Sequence, residues 1–230
     1  MNRRNNLVIH IPARSGSKRV KSKNLRMLAN TPLISYAINA ALKSNITDQV
    51  YVNTDCEKIE EYANSLGVKV YRRDPDLASD LATSDEFNYD IINNLNPTTL
   101  MMINPVCPLI NERDINEVYE YFLNNNFDTL ITCNQTYMQC FYNNKPINID
   151  IEKKLAPTQD NIPVNICNWA ISIWDAEIFK KNFIKKGFAV FGDKLKLYPI
   201  SNFKSIKISI EEDFIFAEKI IKSLYLEDNI

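Results

Sequence analysis

The sequence predicts an α/β fold with a mainly parallel sheet flanked by helices, and two observations carry that prediction. Short apolar runs alternate with stretches of helical periodicity through most of the chain, the pattern of strands joined by crossover helices. The first run, residues 7–11, is short enough to be one buried strand, and it opens directly into a polar loop holding Arg14, Gly16, Lys18, Arg19, Lys21 and Lys23. A length of 230 residues, with 45% hydrophobic and 24% charged residues, fits a single domain over residues 1–230 that buries a full core.

Beyond that loop, Leu33, Ile34, Ala37, Ile38, Ala41 and Leu42 recur at helical spacing. Thr31 is the expected N-cap of this helix, with Pro32 in the first helical position. Residues 50–52 read as a strand, followed by Asn53, Thr54 and Asp55, and residues 57–66 as a helix. A short strand at 68–71 leads through a polar loop to a helix at 84–93, a central strand at 100–103 and a helix at 111–123. Residues 129–133 give another strand. The segment 134–165 is rich in Asn, Tyr and Pro without clean periodicity, and loops this long inside a domain usually serve a site or an interface. Strands are expected again at 171–174, 195–198 and 206–208. A closing helix over 211–226 carries Phe214, Ala217, Ile220, Ile221 and Leu224 as its buried stripe.

Composition excludes several classes of function. A net charge of −1 gives no global basic field for nucleic acid or for an anionic membrane surface. No apolar run approaches the roughly 18 residues of a membrane span, and the first apolar stretch is interrupted at Pro12 and Arg14, too early for a signal peptide. The five cysteines are scattered without a C-x-x-C pair, which points to reduced thiols rather than disulfides or a zinc site. The expectation is a cytoplasmic globular protein.

The segment 11–25 carries the chemistry. Small residues expose backbone N–H groups and long cations can neutralise phosphate oxygens, which is what a triphosphate requires. Gly16 is one of only four glycines in the chain. The alternative is a solvated basic loop. In open α/β sheets ligands sit at the carboxyl ends of the strands, where three segments meet: 14–24, 53–55 and 104–108.

The order Ile-Pro-Ala-Arg-x-Gly-Ser-Lys-x-x-x-x-Lys-Asn-Leu over residues 11–25, followed by Pro32-Leu33-Ile34-x-Tyr36, resembles the CMP-sugar synthetases that activate sialic acids and related nonulosonic acids. The resemblance covers nearly the whole chain, strongly in the first hundred residues and patchily afterwards. It implies a nucleotide-diphospho-sugar transferase-like, Rossmann-like fold and CMP transfer from CTP to a nonulosonic acid with release of pyrophosphate. It also implies a homodimer in which 134–165 packs against the second subunit and closes over its site. The partners implied are CTP and a small anionic sugar or phosphate acceptor, with magnesium as cofactor.

The resemblance assigns residues to roles. The nucleotide loop runs through Ala13, Arg14, Ser15, Gly16, Ser17 and Lys18 to Lys23 and Asn24, with Arg14, Ser17 and Lys23 on the triphosphate and Asn24 on the cytosine edge. Lys23 is the leading catalytic candidate, since an ammonium beside the α-phosphate stabilises charge as the acceptor attacks. Lys18, Arg19 and Lys21 are phosphate ligands or a solvated face. Ser84 reaches the nucleotide, caps a helix, or does both. Asp55 is expected to shape the loop. His10 reads as a core residue, and the aromatic residues between Tyr137 and Tyr142 as packing or dimer contacts.

The acceptor side departs from the pattern. Asn104-Pro105-Val106-Cys107-Pro108-Leu109-Ile110 stands where the family has Gln-Pro-Thr-Ser-Pro-Leu-Arg, so two hydroxyls and an arginine are replaced. Pro157-Thr158-Gln159-Asp160 stands where the family often has an Arg-Gln pair, and Asn168-Trp169-Ala170 where it has Asn-Gly-Ala, leaving Asn104, Gln159 and Asn168 as the acceptor candidates. The family's Asp-Ile-Asp, whose carboxylates hold magnesium, is here Lys207-Ile208-Ser209. Either the Lys207 ammonium stands in for part of the metal's charge and acts in catalysis, or the metal is held elsewhere, near Glu211, Glu212 or Asp213, or activity is impaired. A phosphate or phosphonate acceptor, or a nucleotide-binding protein without catalysis, are the alternative functions.

Overall fold

The computed structural model describes residues 6–16 and 19–227. Strand β1 (Leu7–Pro12) is apolar apart from His10, as a strand with both faces covered is expected to be. Ile9 and Ile11 enter one core and Val8 the other. A two-residue hairpin, β2 (Met27–Leu28) and β3 (Thr31–Pro32), precedes α1 (Leu33–Ser44). Then come β4 (Val50–Thr54), α2 (Glu57–Ser65), β5 (Lys69–Arg72), α3 (Ser84–Leu95), β6 (Thr99–Ile103), α4 (Glu112–Leu123) and β7 (Thr129–Thr136). The rest of the chain forms the small hairpin β8 (Phe141–Tyr142) and β9 (Lys145–Pro146), then β10 (Val164–Asp175), α5 (Ala176–Lys186), β11 (Leu195–Pro199) and α6 (Glu211–Glu227).

The main sheet has the order β11-β7-β10-β6-β1-β4-β5. Its ladders are parallel except those of β10, which runs antiparallel between β6 and β7. One face packs Ile9, Ile11, Met101 and Leu130 under α1, α2, α4 and α6; the other packs Val8, Leu100 and Trp174 under α3 and α5. Capping follows local chemistry. Thr83 and Glu86 form a capping box on α3, and Asn111 and Asp114 form another on α4.

Several expectations change. Thr31 is not an N-cap: Ala29 and Asn30 take positive φ of 47° and 67°, and the resulting tight hairpin draws Thr31 into β3 opposite Leu28. Pro32 takes the cap position and α1 begins at Leu33. Residues 206–208 form no strand: their one backbone–backbone bond runs from Ile208 N–H to the Val106 carbonyl, at 2.8 Å, and no ladder extends from it. The helix α5 was not expected, although Asp175 caps its start and Gly187, at φ 79°, ends it. On α6, Phe214, Ala217 and Ile221 are buried, while Leu224 lies at the exposed margin.

Between β7 and β10 the chain forms an irregular arm that holds the small hairpin β8–β9. Two asparagines pin it from within: the Asn148 amide donates to the carbonyls of Met138 and Ile162, and the Asn161 amide to that of Tyr137.

Candidate functional site

The carboxyl ends of β1 and β6 open on one cleft of about 500 Å³, walled by Arg14, Gly16, Arg19, Lys23 and Asn24 on one side and Asn104, Pro105 and Val106 on the other. Asp55, just past β4, holds the loop open: its carboxylate accepts from Ser15 N–H at 3.0 Å and from Ser15 Oγ at 2.7 Å. This is the loop-shaping role expected of Asp55. Ala13 is buried and donates its N–H to the Asn53 carbonyl, so the loop leaves the sheet still paired to β4. Ser17 and Lys18 lie outside the described residues.

Arg14 turns to the side of the cleft. Its guanidinium donates to the carbonyls of Ala78 and Ser79 and pairs with Asp80 at 2.9 Å. Lys23 opens a 3-10 turn (Lys23–Leu25), and its Nζ donates to the Ile208 carbonyl at 3.2 Å. Burial, followed by the charges of Arg19 and Lys207, pulls the Lys23 ammonium below its ordinary pKa, against the opposing influence of Asp213 and Cys107. The two cations outweigh Asp213 in the field at Lys23, and an anion in the cleft would restore the balance. Asn24 is 7% exposed; its amide donates to the Arg14 carbonyl at 3.2 Å, and its Oδ1 has no partner among the described residues. A buried acceptor left open costs about 1–3 kcal/mol, so it fits a ligand that brings a donor.

Sequence reasoning missed Arg73. It follows β5 at the same end of the sheet and is 4% exposed, with Nε donating to Asn53 Oδ1 at 2.7 Å and its guanidinium 4.6 Å from the Phe87 ring centre. Burial, with Arg14 adding, pulls its pKa down to about 10 against Asp55 and Asp90. The available signal was a pair of cations, Arg72 and Arg73, at the end of the short strand run 68–71. Ser84 is the first residue of α3, and Thr83 supplies the cap, so the capping role belongs to Thr83.

Asn104 lines the cleft and is fixed by its N–H bond to the Ala170 carbonyl at 2.9 Å. Val106, Cys107 and Ile110 are 8%, 2% and 4% exposed, so the positions that lost hydroxyls and an arginine are packed into the core. Burial pushes the Cys107 thiol up to about 12, against the neighbouring charges of Lys207 and Lys23. Gln159 sits on an exposed 3-10 turn of the arm (Thr158–Asp160) and does not line the cleft. Asn168 is buried and engaged: Oδ1 accepts from Thr132 Oγ1 at 2.7 Å and from Ala170 N–H at 3.0 Å, and Nδ2 donates to Asn134 Oδ1 at 2.8 Å. Trp169, beside it, holds φ at 62°, where a bulky residue is strained, and packs edge-on to Phe191 at 5.5 Å.

The residues at the expected metal position do not fit magnesium. A hard divalent cation takes carboxylate oxygens, and Lys207 and Ser209 provide none. Glu211 is clasped by Arg26 through two bonds of 2.6 Å. Asp213 accepts from the N–H groups of Ser209 and Ile210 at 2.7 and 3.0 Å, capping α6. Among the described residues no group of three or more His, Cys, Asp and Glu side chains could hold a metal ion.

Two features lie away from the cleft. A cavity of about 700 Å³ opens at the amino end of β6 among Asn96, Thr98, Asp175 and Lys180. His10 is fully buried on the α3 side of the sheet, as a core residue should be. No described helix is long and apolar enough to cross a membrane.

Comparison with known proteins accords with this geometry. Residues 8–154 match the family model described as Cytidylyltransferase. The chain is 28% identical over 214 residues to an N-acylneuraminate cytidylyltransferase of Streptococcus agalactiae serotype III, covering 89% of this chain and 51% of that protein. It is 28% identical over 228 residues to the post-translational flagellin modification protein B of Campylobacter coli, covering 94% and 95%. Over 121 residues it is 37% identical to a pseudaminic acid cytidylyltransferase of Campylobacter jejuni, covering 50% and 52%. The chain thus spans about half the length of several of the relatives it matches. Among solved structures, CMP:2-keto-3-deoxy-manno-octonic acid synthetase in complex with CTP shares the fold, with a TM-score of 0.69 at 14% identity over 95% of this chain and 99% of that one. A 4-diphosphocytidyl-2C-methyl-D-erythritol synthase from Anaerococcus prevotii does likewise, with a TM-score of 0.67 at 14% identity over 95% and 97%. With the family model matching well over half of its length, the chain belongs to the cytidylyltransferase family.

Proposed function

We propose that the protein transfers CMP from CTP to a nonulosonic, sialic-acid-like sugar and releases pyrophosphate. The observation that carries this is the cluster of Lys23, Arg19 and Lys207 beside the unpartnered Oδ1 of Asn24. The cations answer a triphosphate, and the lone acceptor answers the exocyclic amine of cytosine. The acceptor oxygen attacks the α-phosphorus in line and pyrophosphate leaves. Lys23 stabilises the charge that builds on the α-phosphate oxygens, and Arg14 joins it after releasing residues 78–80. Asn104 is the acceptor-facing amide that lines the cleft, whereas Gln159 reaches a site only from the arm.

Thermal melts and pyrophosphate release test this reading together. CTP should raise the melting temperature more than ATP does, since a ligand held at about 100 times its dissociation constant stabilises by roughly 2.7 kcal/mol. Pyrophosphate should appear with a nonulosonic acceptor. N-acetylneuraminic acid itself should turn over poorly, because Ile110 and Thr158 replace arginines suited to a carboxylate. Equal shifts with CTP and ATP would remove the cytosine-reading role of Asn24. Turnover only with a phosphate or phosphonate acceptor favours the alternative substrate, for which the buried Val106, Cys107 and Ile110 are the supporting observation.

The arm supports a dimer. Met138, Tyr142, Leu155 and Ile162 are 69%, 70%, 63% and 72% exposed, an apolar surface that a second subunit would cover. Light scattering at micromolar concentration should give twice the chain mass; a strictly monomeric species overturns the dimer.

Lys207 carries a further prediction. The segment is not a strand, so Lys207 and Ser209 need not share a face; they bracket Ile208, whose carbonyl Lys23 binds. With Lys207 giving partial charge compensation, turnover should be slow and only weakly dependent on magnesium. Lys207→Asp combined with Ser209→Asp restores oxygen ligands and should make activity rise steeply across a magnesium titration. Fast, fully magnesium-dependent turnover in the unmodified protein would show that the metal has other ligands.

A further inference from the structure

Cys133 on β7 and Cys167 on β10 are direct partners across the antiparallel ladder. Opposed residues project to the same face, with Cβ atoms about 4.5–5.5 Å apart, and a disulfide needs about 3.5–4.5 Å. A small approach of the two strands therefore suffices. Both thiols are free; Cys133 is buried and Cys167 partly exposed. The sulfur of Cys133 makes one long contact, 3.6 Å to Asn165 Oδ1. The ladder also loosens on one side of the pair, since its register shifts between Cys167 and Ser172.

The residues that follow the two cysteines connect this pair to the cleft. Asn134 and Asn168 are joined by the 2.8 Å amide bond, and Asn134 Nδ2 donates to Ser205 Oγ at 2.6 Å, two residues before Lys207. Asn168 in turn orders Ala170, whose carbonyl fixes Asn104.

We propose that Cys133 and Cys167 are a reversible redox modification site, closing to a disulfide under a peroxide-class oxidant and thereby displacing the Asn134–Asn168 bond that supports the cleft. The Cys167 thiolate attacks one oxygen of hydrogen peroxide, the O–O bond breaks, and Cys167 becomes a sulfenic acid as one water leaves. The sulfur of Cys133 then attacks that of Cys167, forming the S–S bond and expelling the second oxygen as water with the thiol proton. Two thiols are oxidised and one peroxide is reduced to two waters. Because the bond draws the ladder below its resting spacing it is strained, and a dithiol reduces it readily. Burial pushes both thiols up, so closure is slow at neutral pH and quickens as pH rises. The effect on turnover rests on the transferase reading; the cross-link does not.

The protein is treated with hydrogen peroxide, its thiols are counted by alkylation, and its peptides are mapped by mass spectrometry. The five free thiols should fall by two, with a 133–167 cross-linked peptide that dithiothreitol removes and that is missing from both Cys133→Ser and Cys167→Ala. Pyrophosphate release should fall several-fold on oxidation and return on reduction, with the two variants insensitive. Loss of thiols without that cross-link, or a cross-link through Cys56 or Cys140, overturns the site. The mapped cross-link with unchanged turnover overturns the coupling to the cleft. A reduced protein that never releases pyrophosphate counts against the transferase reading, and the cross-link is then judged by mapping, with CTP-induced melting shifts in the two redox states as the test of coupling.

Discussion

Lys23→Ala should lower kcat/KM for pyrophosphate release by on the order of 10²–10³-fold, the usual cost of deleting one preorganised group that meets developing charge. The size follows from the surroundings. Lys23 lies partly buried with Arg19 and Lys207 as neighbouring cations, and it donates to a neutral carbonyl, Ile208 O. Half-burial screens its charge less than full exposure would, so an incoming phosphate feels it more strongly than it would a surface lysine. The same substitution should abolish most of the CTP-induced rise in melting temperature. Lys23→Arg keeps the charge but changes its shape, and should recover binding better than kcat, since a planar fork cannot occupy the position of a compact ammonium. Lys23 also fastens the 206–208 segment, so circular dichroism and the ligand-free melt must match those of the unmodified protein for the kinetics to be read. A folded Lys23→Ala protein within tenfold of the original kcat/KM would remove Lys23 from the chemistry and shift attention to Arg73 and Arg14.

What could be read from sequence depended on how local each signal is. β1 and its loop stood out because an apolar run passes abruptly into cations and a scarce glycine, and the structure puts Arg14, Gly16, Lys23 and Asn24 around one cleft. Arg73 shares that end of the sheet and was passed over, because its role depends on Asn53, twenty residues away and meaningful only once β4 and β5 are paired. Residues 205–209 alternate as a strand does, yet a strand needs a free neighbour, and the bond from Ile208 to Val106 is the one ladder-like contact that this segment obtains. α5 has clear start and stop signals in Asp175 and Gly187, but Asp175 is also the last residue of β10, so strand and helix run together in the sequence without a loop between them. The acceptor side was least legible. Asn168 reads as a ligand from its neighbours in sequence, whereas the fold occupies its amide with Thr132 and Asn134.

His10 should make the protein labile to mild acid, and replacing it should remove that lability. The imidazole is fully buried; Asn88 lies beside it without a well-aligned hydrogen bond, and both ring nitrogens lack partners among the described residues. Burial, followed by the charge of Arg73, drives its pKa from 6.5 down to about 3. The sign follows from proton binding. Between those two values the unfolded chain holds a proton on His10 that the folded chain refuses, so unfolding takes up protons and stability falls as pH falls. Above 6.5 both states are neutral and nothing is lost. The slope approaches about 1.4 kcal/mol per pH unit, so roughly 2 kcal/mol should go between pH 7.5 and 5.0, rising toward about 5 kcal/mol near pH 3. Set against a typical total of about 5–15 kcal/mol, that loss alone can unfold a marginal domain. His10→Val keeps an apolar, β-branched side chain in the strand and leaves no nitrogen to protonate. Urea midpoints of the two proteins should therefore diverge as the pH is lowered from 7.5 to 5.0, with the variant the more resistant at the acid end. If both lose the same stability over that interval, His10 is not the group that takes up the proton, and the acid response belongs to a carboxylate such as Glu211, which Arg26 clasps and holds below its ordinary pKa.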